Sequence, residues 1–145
     1  MAQISSISEL LEISNATVYE LTDYLQYEWN ISRPTEVIED GVAVGRYTYN
    51  KNFGGKTQIL QREIRKDLGS GFTLESTRLT SNDKKLYEAY MIQLKSMGFS
   101  LKFEREGKRF YSRGRDKVII YPKGTEEVVL SEGYYLISIP STYAN

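Results

Sequence analysis

The sequence predicts an α+β fold, in which N-terminal helices and one central helix pack on one face of a mainly antiparallel sheet ending in a C-terminal β-meander. Three observations support this prediction. Apolar residues in 4–29 have helical spacing, residues 81–97 form a second amphipathic stretch, and short strand-like runs separated by glycine turns follow residue 98. Helices first and a run of strands last is the order typical of an α+β domain.

The N-terminal segment is predicted to hold two helices. Its apolar residues lie three or four positions apart on one helical face: Ile4, Ile7, Leu11, Val18, Leu21 and Leu25. The pattern lapses at Ser14, and Ser14-Asn15 followed by Glu20 is typical of a new helix N-cap. We therefore expect helices over about residues 6–13 and 15–29. Arg33-Pro34 ends this part, because the residue before proline avoids the α region.

The middle of the chain is predicted to alternate between strands and helices. Asp40-Gly41 is a favoured turn pair for a hairpin, helical apolar spacing resumes after Thr57, and Gly69 and Gly98 are typical helix ends. The predicted elements are hairpin arms over Glu36–Asp40 and Val42–Asn50, a helix over Thr57–Leu68, a strand over Phe72–Leu79, and a helix over Ser81–Met97 capped by Ser81.

The C-terminal part is predicted to be a meander of short strands. Glycine-containing turns such as Glu106-Gly107 separate the runs. The predicted strands cover Phe99–Arg105, Lys108–Ser112, Lys117–Tyr121, Glu127–Leu130 and Tyr134–Ile139. We see no internal repeat and no linker, and 145 residues is the usual size of one domain, so a single α+β domain over residues 1–145 is expected.

The composition excludes several kinds of chemistry. The chain has no cysteine and no histidine, which removes disulfides, thiol nucleophiles, Ser-His-Asp catalysis and almost all zinc, copper and haem ligation. We expect no cofactor and no metal. No apolar stretch is long enough to span a membrane, and the N-terminus lacks the basic region of a secretory signal. A cytoplasmic location is expected, which the absence of cysteine fits.

Charge is unevenly distributed along a chain whose net charge is zero. Residues 1–42, the acidic helical segment, hold eight acidic residues and one basic residue, Arg33, for a charge of −7. Residues 43–145, the basic mixed segment, hold 18 basic and 11 acidic residues, for +7. Such asymmetry can mark a surface for a polyanion. The acidic segment could equally pack on the basic one, within a chain or between chains.

A glycine-rich string resembles part of a phosphate-binding loop. Gly54, Gly55, Lys56 and Thr57 follow a predicted strand and open a predicted helix, which is the context of G-x-x-x-x-G-K-[ST]. The first glycine of that pattern is replaced by Asn50, and a Walker-B-like aspartate is missing. The favoured interpretation is a glycine turn before an ordinary helix, with a weaker anion site at the helix N-terminus as the alternative.

The run from Lys102 to Lys117 is the strongest candidate for a binding surface, with seven basic and three acidic residues. In a hairpin, alternation places Arg109, Tyr111 and Arg113 on one face, where arginine can fork onto phosphate and tyrosine can stack on a base. The predicted nucleic-acid or anion-binding residues are Lys102, Arg105, Lys108, Arg109, Tyr111, Arg113, Arg115 and Lys117. Solvated surface and an acidic protein partner are the alternatives for this run.

The sequence alone does not establish a function, and three hypotheses remain. The leading one is a non-enzymatic binding module that contacts a polyanion, with nucleic acid favoured, through the basic, Tyr-bearing hairpin. The second is a protein-protein assembly or inhibitor module, for example a homo-oligomer or a viral-type subunit, that uses acidic/basic complementarity and the 12 tyrosines. The third is a small enzyme that works without histidine or cysteine. An enzyme is the less favoured expectation, and no catalytic residue is assigned.

Overall fold

A computed structural model describes residues 3–121 and 135–140 of the chain, and the predicted α+β fold is confirmed. The described residues form three helices and one nine-stranded sheet in which every neighbouring pair is antiparallel. The elements are α1 (Ile7–Asn15), α2 (Val18–Leu25), β1 (Asn30–Ile31), β2 (Thr35–Glu39), β3 (Val42–Phe53), β4 (Lys56–Asp67), β5 (Thr73–Ser81), α3 (Lys84–Ser96), β6 (Ser100–Arg105), β7 (Lys108–Arg113), β8 (Asp116–Tyr121) and β9 (Tyr135–Pro140).

The sheet repeats one topological unit although the sequence shows no repeat. Its strand order is β1-β3-β4-β5-β9-β8-β7-β6, with β2 also paired to β3. The chain forms helices α1 and α2 and then the meander β3–β4–β5, and later forms α3 and then the strands β6 to β9. The last strands of the two units, β5 and β9, pair with each other in the middle of the sheet.

The two N-terminal helices are confirmed, but their boundary differs from the prediction. Ser6 caps α1 by accepting a hydrogen bond from the backbone N–H of Glu9 (3.0 Å). The second helix begins at Val18 because Thr17 and Glu20 form a reciprocal capping box, and it ends at Leu25. The predicted range of 15–29 is therefore wrong at both ends. The segment over residues 1–42 also contains the strands β1 and β2, so it is not wholly helical.

The predicted central helix is confirmed as α3, with a shifted start. Asp83, not Ser81, is the N-cap, and its carboxylate accepts from the backbone N–H groups of Lys85 and Leu86. Ser81 is the last residue of β5, and its hydroxyl accepts from the N–H of Asp83 (3.1 Å). The capping residue therefore lies two residues later than the sequence pattern suggested.

The predicted helix over Thr57–Leu68 is wrong, because this segment is the long strand β4. Gly54 and Gly55 both have positive φ (58° and 88°), which matches the two-residue hairpin loop that joins β3 to β4. The alternation of a strand is hidden because two of its inward positions, Gln58 and Arg62, are polar and buried. Gly69 lies in the turn between β4 and β5 and ends no helix.

The other predicted strands agree with the structure to within a few residues. Asp40 and Gly41 form the turn of the β2–β3 hairpin, and Glu106 and Gly107 form that of the β6–β7 hairpin, all four with positive φ. The predicted strand over residues 127–130 lies outside the described residues. None of the described helices is long and apolar enough to cross a membrane.

All three helices cover the same face of the sheet, which we call the inner face. Its buried strand residues form one core cluster with the helices: Tyr49, Leu60, Leu79, Val118, Ile120, Ile137 and Ile139. The helices contribute Ile7, Leu10, Ile13, Leu21, Leu25, Leu86, Tyr90 and Leu94 to this cluster. Because side chains alternate along a strand, the neighbours of these strand residues lie on the opposite face, which we call the outer face.

A buried arginine ties the helices to the sheet. Arg62 of β4 is only 1% exposed. Its guanidinium donates to the carbonyl oxygens of Ile13 and Ala16 at the end of α1, both at 2.8 Å, and to the Thr77 hydroxyl on β5 at 3.0 Å. A carboxylate oxygen of Glu75 lies 3.5 Å away. The arginine thus satisfies carbonyl groups that the end of a helix leaves without partners.

The segment before α1 is held by hydrogen bonds from side chains of β4 and α3. Gln58 of β4 accepts from the N–H of Ile4 and donates to its carbonyl, both at 2.8 Å. The hydroxyl of Tyr90 donates to the same carbonyl. Gln93 of α3 accepts from the N–H of Ile7 at 2.7 Å. These bonds seat residues 4–7 between β4 and α3, with Ile4 fully buried.

Arg62→Met should lower the free energy of unfolding by about 3 kcal/mol, because the carbonyls of α1 lose buried donors and Glu75 loses its partner. Equilibrium unfolding in urea, followed by circular dichroism, measures this. Lys66→Met is the matched control, since Lys66 is an exposed cation of the same strand and should change stability by no more than about 0.5 kcal/mol. Equal losses in the two variants would contradict the role given to Arg62.

Candidate nucleic-acid interface

The predicted basic run is divided between the two faces of the sheet. Arg109, Tyr111 and Arg113 do share one face of β7, as alternation predicted. They lie opposite Ile120, Val118 and Asp116 of β8, and Val118 and Ile120 belong to the core cluster. The three residues therefore lie on the inner face, on the same side of the sheet as the helices.

The inner-face members of the run have partners within the chain. Arg109 forms an ion pair with Glu104 (3.3 Å). Arg113 pairs with Asp116 (3.0 Å), donates to the carbonyl of Met97 at the end of α3, and lies over the ring of Phe99, 4.7 Å from its centroid. These contacts give Arg113 a role in holding α3.

Tyr111, the aromatic member of the predicted stripe, packs against the core cluster. A half-buried ring on the helix side of the sheet is poorly placed to stack on a nucleotide. The prediction that Arg109, Tyr111 and Arg113 bind nucleic acid together is not supported by this placement.

The remaining basic residues of the run keep their charge available to solvent. Lys102, Arg105, Arg115 and Lys117 are exposed, and within the described ranges none has a carboxylate at ion-pair distance. Lys108 is half-buried, with its Nζ atom 5.6 Å from the centroid of the Tyr121 ring and 4.0 Å from Glu106.

A groove with an aromatic wall lies on the outer face of the C-terminal strands. The rings of Phe103 and Phe110 stack with centroids 4.4 Å apart and planes 14° from parallel, and Phe103 is 53% exposed. The groove has a volume of about 440 Å³. Its other lining residues are Lys102, Tyr111, Ser112, Lys117, Ile119 and Pro140. It thus combines an exposed ring with two of the unpaired lysines.

Sequence reasoning missed this groove, although its signal is in the sequence. Phe103, Phe110 and Ile119 occupy one cross-strand row, because Phe103 lies opposite Phe110 and Phe110 opposite Ile119. A β-bulge in β6 leaves Lys102 without a cross-strand partner. Three apolar residues at matching positions of consecutive strands indicate a shared face, but only the register places them side by side.

A second cluster of cations lies on the outer face of β3, β4 and β5. Glu63 is 8% exposed and accepts from the Nε atoms of Arg46 (3.0 Å) and Arg65 (2.8 Å), while an Nη atom of Arg78 lies 3.9 Å away. Burial raises the pKa of Glu63, but the hydrogen bonds and charges of Arg65 and Arg46 outweigh it and leave that pKa below its ordinary value.

The acidic helices lie on the other side of the sheet from these cations. Arg62 binds the end of α1, and Thr22 of α2 shares a hydrogen bond with the hydroxyl of Tyr49 (2.7 Å), so both helices rest on the inner face. The carboxylates of α1 and α2 are therefore separated from the outer-face cations by the sheet. The centre of the outer face, at Thr80, Leu136 and Ser138, is buried.

The glycine string at Gly54 and Gly55 is a hairpin turn and opens no helix. The predicted anion site there depended on the N–H groups and dipole of a helix N-terminus, and that basis is missing. Nor is the backbone N–H of Thr57 available, because it donates to the Asn82 side chain at 2.8 Å. Lys56 is exposed at the start of β4.

Neither a metal-binding cluster nor a similarity to known proteins indicates a function for the part of the chain that the structure describes. In residues 3–121 and 135–140, no group of three or more carboxylates is arranged to hold a metal ion. No protein-family model, curated protein or solved structure matches the chain. The geometry of the outer face is therefore the basis for a functional proposal.

Protonation of Glu63 should lower the free energy of unfolding at acid pH. Because the folded pKa of Glu63 is depressed, the stability that its ionised form contributes is present above its ordinary pKa of 4.5 and is lost as the pH falls through the lower folded value. Urea unfolding of the wild type should therefore show a steeper loss of stability below about pH 4.5 than that of Glu63→Gln. Glu88→Gln, an exposed change on α3, should keep the wild-type pH dependence, and an identical dependence in all three proteins would contradict this assignment.

Proposed function

We propose that this protein is a non-enzymatic module that binds single-stranded nucleic acid on the outer face of β6, β7 and β8. The observation that carries the proposal is the exposed ring of Phe103, stacked on the half-buried ring of Phe110, beside Lys102 and Lys117. These two cations have no carboxylate partner in the described part of the chain. Proteins that bind single strands without sequence preference combine such aromatic plates with a positively charged groove.

The groove offers two kinds of interaction, stacking for a base and positive charge for its phosphates. A base can stack on the exposed face of Phe103, whose other face is held parallel to Phe110. Lys102 and Lys117 lie along the same groove, where their ammonium groups can neutralise the flanking phosphates. A sheet that presents aromatic side chains to unpaired bases is also how one common RNA-binding fold works.

The placement of the other charges supports the same surface. Arg105 adds a further exposed cation at the edge of the sheet. The acidic helices are on the far side, so they do not repel a polyanion at the groove or compete for its cations. A cytoplasmic location, where single-stranded RNA is plentiful, is part of this proposal.

Phe103→Ala should weaken binding of a fluorescent oligothymidylate by roughly 5- to 150-fold, because one stacked base contributes about 1–3 kcal/mol. Fluorescence anisotropy at low salt measures this effect. Ile92→Ala is the matched control, since Ile92 is an exposed apolar residue on α3 and its removal should leave affinity unchanged.

The contribution of lysine charge to binding can be measured in the same assay from the salt dependence of affinity. Lys117→Gln should make the slope of log affinity against log salt shallower by about 0.7, the value for one lost phosphate contact to a single strand. Lys85→Gln, which removes an exposed lysine from α3, should keep the wild-type slope. Absence of binding by the wild type to any single-stranded DNA or RNA at low salt would end the proposal.

A second candidate function, protein-protein assembly, is favoured by the surface of α2 and of the turn that follows it. Tyr19 and Tyr27 are 84% and 87% exposed, and Asp23 and Glu20 lie between them in the sequence. Tyrosine is enriched at interfaces, and an acidic surround suits a basic partner surface, including the outer face of a second copy.

Tyr19→Ser combined with Tyr27→Ser should reduce self-association if this second candidate is correct. Light scattering coupled to size-exclusion chromatography should then show an oligomer for the wild type that dissociates at high salt and a monomer for the variant. A wild type that is monomeric at all concentrations and salt levels would exclude homo-oligomeric assembly through this surface.

A further inference from the structure

We propose a second anion-binding subsite on the outer face, formed by Arg46, Arg65 and Arg78 around Glu63 and suited to a phosphate group. The part of this inference that concerns nucleic acid rests on the function proposed above. The subsite lies on a different part of the sheet, and its affinity for phosphate can be tested without nucleic acid.

The cluster carries more positive charge than its own carboxylate neutralises. Three guanidinium groups surround the one carboxylate of Glu63, which leaves a net charge of +2. Arg46 and Arg65 are 43% and 54% exposed in their side chains, whereas the carboxylate is buried beneath them. The excess charge therefore faces solvent, and an anion approaching from outside meets guanidinium groups first.

The hydrogen bonds within the cluster leave donors for a ligand. Arg46 and Arg65 each bind Glu63 through the Nε atom, at 3.0 and 2.8 Å. Each guanidinium has five N–H donors, so the terminal Nη groups of both side chains can donate to a second acceptor. Two arginines fixed by one carboxylate are preorganised, which reduces the side-chain entropy lost when they bind phosphate.

A path across the sheet connects this cluster to the aromatic groove. Glu63 lies opposite Ser76 of β5, and Ser76 lies opposite Pro140 of β9. Pro140 and Lys117 line the aromatic groove together. The path passes to one side of the buried centre of the outer face. From β4 to β6 it crosses five strand intervals, or roughly 24 Å at about 4.8 Å per interval.

The distance between the subsite and the groove therefore determines how long an oligonucleotide must be to contact both. An oligonucleotide stacked on Phe103 gains the arginine contacts only if it extends across this distance. Affinity should accordingly rise with length in a range of about 4 to 16 nucleotides, the sizes that single-strand-binding domains cover. The step in affinity should disappear when an arginine of the cluster is removed.

The first arm of the test uses inorganic pyrophosphate and NMR. The Nε–H groups of Arg46 and Arg65 are bonded to a buried carboxylate, which should slow their exchange and give resolved signals. Pyrophosphate should shift these signals saturably, whereas sodium chloride at equal ionic strength should not. In Arg65→Gln the response of Arg46 should be lost, and in Lys66→Gln, the same charge change on the opposite face of β4, it should persist. No saturable shift in the wild type would overturn the subsite.

The second arm uses the oligothymidylate length series and the same two variants. For the longest strand, Arg65→Gln should weaken binding about tenfold and make the salt slope shallower by about 0.7, while Lys66→Gln should match the wild type. Arg46→Gln is a second variant should Arg65→Gln fold poorly. If Arg65→Gln and Lys66→Gln behave alike although the wild type binds the strands, the extension of the surface is wrong and the groove proposal stands. If pyrophosphate binds and no oligonucleotide does, the subsite stands as a small-anion site and the nucleic-acid proposal fails.

Discussion

The guanidinium of Arg62 is the constraint on which the arrangement of helices and sheet depends. It is a charge almost completely removed from water, and such a charge is tolerated only when hydrogen bonds and a counter-charge surround it. Here the carbonyls at the end of α1, the Thr77 hydroxyl and the Glu75 carboxylate provide them. A different placement of α1 would remove the carbonyl acceptors of Ile13 and Ala16 from the guanidinium, so these two hydrogen bonds favour the observed docking position of the helix.

Because both N-terminal helices are fixed to the inner face, the sheet separates their carboxylates from the cations of the outer face. Arg46, Arg65 and Lys117 lie on that outer face. The separation of charge is partial, because Arg62, Arg109 and Arg113 face the helices. Glu63 is a buried carboxylate on the outer face and organises arginines there.

The type of most elements was predictable, whereas the functional face was not. Turn glycines and helix caps depend on neighbouring residues of the chain, so turns and helix ends can be predicted from short sequence patterns. β4 was misread because Gln58 and Arg62 place polar groups at core positions, for long-range bonds that no local pattern reveals. Alternation correctly grouped Arg109 with its neighbours on β7. It could not say which face the helices cover, because both faces of β8 are apolar, with Val118 on one and Ile119 on the other.

The position of β9 between β5 and β8 has a consequence for synthesis on the ribosome. Among the described strands, the two halves of the sheet are joined through β9, which pairs with β5 on one side and β8 on the other. Until β9 has been made, both of these strands present unpaired backbone groups along apolar rows that include Leu79 and Ile120. A nascent chain in which β9 has not yet been made therefore has two unpaired strand edges, and such edges favour pairing with other chains.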